Sequence, residues 1–262
     1  MTAEIARYDL HNRRRSTLWY AVGIALYMLV IVALYPSFKN SSELNKLTEG
    51  NSPLAALFGA TGTLTSPAGW VNVNAYANFL PLIMLLMTIG YGAGAIAGQN
   101  EDGTLGLLVV LPLGRQRILA GKTATMIVQA LILVVTVAAC VYLGRAFQVT
   151  LDPLHVATAT LAVLLLGVDF GLIALALGAA SGSRGTAIGI SIALAALCYL
   201  ISSLAPVVEW IHPLRYASLF YWAVGNQQLS DGAGPGSFVV LVAVAIAAAI
   251  GANIAFRRLD VR

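Results

Sequence analysis

Apolar residues gather in six long runs, at about 16–35, 77–98, 123–144, 156–180, 186–204 and 238–256, separated by shorter polar segments. Each run is close to the 20 or so residues that a helix needs to cross roughly 30 Å of hydrocarbon. Proline, glycine and charged residues mark their ends. No charged residue occurs between Glu49 and Glu101, between Lys122 and Arg145, or on either side of Arg184 as far as Asp169 and Glu209. The pattern predicts an all-α integral membrane protein with six transmembrane helices in a single transmembrane domain over 1–262. The first run follows Arg13-Arg14-Arg15, has no small-residue cleavage pattern and ends at Pro36, so it reads as a retained anchor and not a cleaved signal peptide.

Composition agrees with the pattern. Of 262 residues, 59% are hydrophobic and only 10% are charged, at a mean hydropathy of +0.83, whereas soluble domains carry about 25% charged residues. Disorder, a coiled coil and a basic nucleic-acid-binding domain are excluded. The net charge of +4 matters through its placement. With the N-terminus in the cytoplasm, Arg7, Arg13, Arg14, Arg15, Arg115, Arg117, Lys122, Arg184, Arg257, Arg258 and Arg262 lie inside, 11 of the 15 Lys and Arg residues. Lys39, Lys46, Arg145 and Arg215 remain outside. Both termini are therefore expected in the cytoplasm, in a multi-pass protein of a prokaryotic plasma membrane.

The connecting segments differ in character. Residues 1–15 set Ile5 and Leu10 among arginines, which suits a helix along the inner leaflet or a short frayed tail. Residues 36–73 form a long external loop rich in Ser, Asn, Gly and Thr. Residues 205–235 hold Trp210, Tyr216, Phe220, Tyr221 and Trp222, and predict an interfacial or re-entrant helix from near Pro213. Glu209, Arg215 and an apolar run of about 10 residues argue against a seventh crossing.

Small and polar residues inside the runs are candidates for packing or for a transport pathway. Gly90, Gly94 and Gly98 recur every four residues along the second run, and Gly167, Gly171, Gly178, Gly182, Gly185 and Gly189 follow in the fourth and fifth. They read as helix-packing seams or as the walls of a moving interface. Asp169 lies near the middle of the fourth run, where an ionised carboxylate costs about 2.5–3.5 kcal/mol. No Lys or Arg occupies another run, so it is expected to be a neutral acid bonded to a polar group such as Tyr91, Thr125, Gln129 or Tyr142, or part of a pathway. His11, His155, His212, Cys140 and Cys198 are too dispersed for a metal site. Gly121-Lys122-Thr123 matches only the end of a phosphate-binding loop, with Gln116 where the earlier glycine belongs. No catalytic arrangement is present.

The segment 99–122 joins the second and third runs. It opens with Glu101-Asp102, carries Leu105, Leu108 and Leu111 at three-residue spacing, breaks at Pro112 and closes with Arg115, Arg117 and Lys122. Taken alone it is an amphipathic connector at the membrane surface, and Arg115, Arg117 and Lys122 suit anchoring to anionic membrane lipid or contact with a partner subunit. The series Glu101, Gly103, Thr104, Leu105, Leu107, Leu108, Pro112, Arg115, Ile118, Gly121 and Lys122 resembles the cytoplasmic signature of ABC-2 type permease subunits. The acidic opening is shorter than the glutamate runs common in that family. The resemblance implies the ABC-2 permease fold, with a cytoplasmic coupling helix in 99–122 that docks on a separate ABC ATPase subunit. It implies two ATPase copies carrying the ATP and Mg, a second permease copy or a related permease, no cofactor on this chain, and export of an unidentified substrate. An ion-coupled secondary transporter built on Asp169 and a non-transporting membrane scaffold remain as alternatives.

Overall fold

The computed structural model describes residues 2–40, 64–109, 114–225 and 228–259. Among these residues there are helices and turns but no strand. Among the described residues, six helical spans are long and apolar enough to cross a membrane.

Helix α1 runs unbroken from Thr2 to Phe38. Residues 2–15 are thus helical and continuous with the first apolar run, in place of a frayed tail. The second span is interrupted. It starts with α2 (Pro67–Val71), passes through a π-helical turn (Asn72–Tyr76), continues as α3 (Phe79–Ala93), and leaves through a second π turn (Gly94–Gly98) into α4 (Gln99–Glu101). The hydroxyl of Ser66 accepts the Gly69 N–H at 3.0 Å and Pro67 fills the first helical position, so helix begins ten residues before the apolar run does. Of the long external loop, residues 41–63 lie outside the described residues.

Helix α5 (Thr104–Val109) is the short helix of the connecting segment, and α6 (Arg115–Leu143) is the third span. Helix α7 (Pro153–Ser181) starts on an Asp152 cap whose carboxylate accepts the Leu154 N–H at 2.8 Å, with Pro153 at the first helical position. It stops at Gly182, where φ is +65°. Helices α8 (Arg184–Leu204) and α11 (Pro235–Arg258) complete the spans, and the short helices α9 (Leu219–Val224) and α10 (Gln228–Asp231) lie between them.

Helix α7 is the axis of the bundle, packed against α3, α6, α8, α11, α9 and α10, while α1 packs chiefly on α6. The most apolar stretches of the second and fourth spans are 72% buried, against 11% for the sixth, so the first pair makes the interior and the sixth faces outward. The seam between α3 and α7 is as close as backbones can be. A methyl group at Gly92 would lie 2.1 Å from the Gly171 carbonyl oxygen, and one at Gly167 would lie 2.3 Å from the Met84 side chain.

The start of α1 and the end of α11 lie at one end of the bundle, its terminal end. There the start of α1 meets the start of α6 through Asp9 and Lys122, and the start of α6 meets the end of α11 through Arg115. At the opposite end the segment before the last span dips inward. The Ser218 hydroxyl donates to the Cys198 carbonyl at 2.6 Å, and the Phe220 ring reaches Phe170 of α7 and Tyr199 of α8, with centroids 6.3 and 5.5 Å away.

Candidate functional site

The terminal end of the bundle gathers most of the residues singled out between the second and third spans. Gly103 has φ +69°, a left-handed conformation that turns the chain from α4 into α5 and that a side chain would strain. The Thr104 hydroxyl donates to the Gln99 carbonyl at 3.3 Å across this turn. Thr104 is exposed, whereas Leu105 is fully buried in a cluster with Tyr91, Ile118, Leu119 and Phe256. Leu108 follows on α5, and Pro112 lies outside the described residues. Beside this turn is a recess of about 1100 Å³, lined by Asn100, Glu101, Gly103, Ser183 and Arg258 among others. Glu101 is exposed on its rim, and its carboxylate accepts the backbone N–H of Arg184 at 2.9 Å, tying the end of the second span to the start of the fifth.

Two of the three basic residues at the end of the segment have partners within the chain. Arg115 donates from one guanidinium nitrogen to the carbonyls of Phe256, Arg257 and Leu259 at 2.7, 3.0 and 3.0 Å, capping the unpaired carbonyls at the end of α11. Lys122 is buried. Its ammonium lies 2.7 Å from one Asp9 carboxylate oxygen and 3.0 Å from the other, and Tyr91 donates a third bond to the same carboxylate at 3.0 Å. Nothing in the sequence around Asp9 marks it for this role, since its partner is 113 residues away. Arg117 alone of the three is exposed.

The glycines of the second span do not act as one packing seam. Gly92, which lies on another face, makes the close approach to α7. A methyl group at Gly90 would meet nothing within 4 Å, and at Gly94 it would meet only the side chains of Arg13 and Arg184. Gly98 lies under the Arg184 side chain, 3.4 Å from its Cδ when the methyl is built. On α7, Gly167, Gly171 and Gly178 do pack against neighbours, whereas Gly185 and Gly189 of α8 face open space.

Asp169 is fully buried on α7, and neither carboxyl oxygen has a hydrogen-bond partner among the described residues. The four groups considered for it are engaged elsewhere or exposed. Tyr91 bonds to Asp9, Thr125 to the Gly121 and Ala6 carbonyls, and Gln129 to Thr17, while Tyr142 is 61% exposed beneath the Arg145 guanidinium. An acid held this way is a net cost to folding, because desolvation is not offset by a bond. Asp169→Leu is therefore expected to leave thermal stability unchanged or raise it by up to about 2 kcal/mol. A clear loss in a detergent melting experiment would mean that the carboxyl has a partner.

A family model described as ABC-2 family transporter protein matches residues 3–261. Two relatives, each named probable ABC transporter permease protein NosY, come from Stutzerimonas stutzeri and Pseudomonas aeruginosa. They are 45% and 44% identical to this chain over 69 residues, which are 26% of this chain and 24% of each relative. The matched stretch thus spans about a quarter of the length of either relative. The whole-length family match and the six apolar spans agree: the chain belongs to the ABC-2 transporter family, as a multi-pass permease of the plasma membrane.

Proposed function

We propose that this permease is the membrane half of an ATP-driven exporter, moved by a separate ABC ATPase subunit present in two copies and paired with a second permease, identical or related. ATP and Mg belong to the ATPase, and this chain supplies the spans and the contact that moves them. The terminal end of the bundle faces the cytoplasm, consistent with the 11 of 15 Lys and Arg residues placed there by the even span number. Export in preference to import follows from the resemblance to the permease signature.

One observation carries the reading. Helix α5 is set off by the Gly103 turn and anchored by Leu105, with Thr104 exposed beside a recess large enough to receive part of another protein. A push on this helix has three outlets. Leu105 passes it to the cluster around Tyr91 and Ile118, Arg115 to the end of the sixth span, and Lys122 through Asp9 to the first. Such fixed contacts turn a local displacement into a movement of whole helices. In this scheme Glu101, Gly103 and Thr104 form the docking side, Leu108 is the docking residue proposed from the sequence, and Arg115 and Lys122 transmit. The ion-coupled alternative would need Asp169 to communicate with water, and its complete enclosure weighs against it.

Glu101→Ala and Leu108→Asp are each expected to preserve insertion while lowering recovery of the coexpressed ATPase by about tenfold, a loss of about 1.4 kcal/mol. Unchanged copurification in both variants would eliminate the docking role.

A further inference from the structure

The recess beside the Gly103 turn is lined by two opposite charges that leave each other unpaired. Glu101 reaches it from the end of the second span and Arg258 from the end of the sixth. Both are exposed, and neither forms an ion pair with a described residue. One Glu101 carboxylate oxygen accepts the Arg184 N–H at 2.9 Å, and the other has no partner among the described residues. Arg258 is not needed to cap its own helix, because Arg115 already holds the carbonyls of Phe256, Arg257 and Leu259.

Opposite charges in one cleft close on each other unless their supports hold them apart. Here both supports are fixed. Glu101 is tied to the start of the fifth span through Arg184. The Leu259 carbonyl is bound by Arg115, and a methyl group at Gly182 would lie 3.5 Å from the Leu259 Cδ1, so the end of α11 rests against the turn between the fourth and fifth spans. Between the charges the wall is made of small residues, among them Ala179, Gly251 and Ala255. A methyl group at Gly251 would meet nothing within 4 Å. The volume of about 1100 Å³ exceeds the roughly 300–1,000 Å³ of pockets built for small ligands. It suits a protein segment.

We propose that this recess receives a segment of the ATPase that presents a cation to Glu101 and a carboxylate to Arg258, so that the motor grips the end of the sixth span directly. The inference rests on the coupling reading above and adds Arg258 and the small-residue wall to the docking surface. Charge-assisted bonds at two fixed points of opposite sign set the orientation of the incoming segment, since the reverse order would set like charges against each other.

Copurification of the full permease with the coexpressed ATPase, compared at equal yields of folded permease, tests it. Arg258→Glu lowers ATPase recovery by at least about tenfold, because it turns an attraction into a repulsion. Gly251→Leu does the same with both charges kept, since its side chain grows from the recess wall into open space. Arg257→Glu makes the same charge change one residue along, at an exposed position outside the recess, and leaves recovery unchanged. Full recovery with either Arg258→Glu or Gly251→Leu, while Glu101→Ala and Leu108→Asp still lose the ATPase, overturns this inference and leaves docking through α5 standing. Full recovery in all four variants removes both. An equal loss in Arg257→Glu would mean that the charge of this end as a whole is being read, and also overturns the inference.

Discussion

Lys122→Met is expected to destabilise the folded chain by about 3–5 kcal/mol, the range for removing one partner of a buried ion pair. The side chains of Lys122 and Asp9 are 2% and 10% exposed, so the abandoned Asp9 carboxylate could not reach bulk water without opening the contact between α1 and α6. Among the described residues Tyr91 would remain as its one bonded side-chain partner. Asp9→Leu added to Lys122→Met removes the stranded charge and is expected to restore more than half of the loss. Completing the cycle with Asp9→Leu alone separates the pair's coupling from general packing. Unfolding in detergent, followed by fluorescence, measures all four proteins. A loss below about 1 kcal/mol for Lys122→Met would mean that the pair behaves like a solvated surface bridge.

The second large effect distinguishes two glycines that are neighbours on one helix. Gly92→Ala places a methyl group 2.1 Å from the Gly171 carbonyl oxygen, a backbone atom that cannot rotate aside. The second and fourth spans must separate, and the seam that forms the middle of the bundle loses its van der Waals contact along its length. A loss above about 4 kcal/mol, with aggregated or degraded protein, is expected. Gly90→Ala adds the same methyl group where nothing lies within 4 Å. It is expected to be neutral or to gain up to about 1 kcal/mol from helix propensity. Similar yields and melting points for the two variants would contradict the α3–α7 contact.

The contrast between these glycines shows where sequence reading stops. Spacing placed Gly90, Gly94 and Gly98 on one face, but a single helix carries no information about which face meets which neighbour. The seam falls to Gly92 and Gly171, while Gly94 and Gly98 of the spaced set lie beside arginine side chains and Gly90 meets nothing. The six spans were legible because crossing hydrocarbon demands length and apolarity together, and both are written locally. Helix starts were less so: Ser66-Pro67 is a cap and first-turn signal inside a polar stretch, and the Pro67-Ala68-Gly69 group reads equally as a turn. The aromatic segment before the last span was recognisable from Tyr and Trp, and its inward dip depends on Ser218 meeting a carbonyl 20 residues earlier. Asp169 lacked a basic partner in sequence and lacks a bonded one among the described residues. Arg115 and Lys122 looked like charges for lipid or a partner subunit, because the carbonyls of α11 and the Asp9 carboxylate that hold them are more than 100 residues away.

The proposed contact between α5 and the ATPase is open to a direct test. Thr104, exposed at the start of α5, is a suitable reporter because Cys140 and Cys198 are both buried. A short thiol-to-amine crosslinker applied to membranes holding Thr104→Cys and the coexpressed ATPase gives the most direct reading. A covalent adduct between permease and ATPase is expected. No adduct from Thr104→Cys, in a preparation where the two subunits still copurify, would place the motor elsewhere and contradict the account.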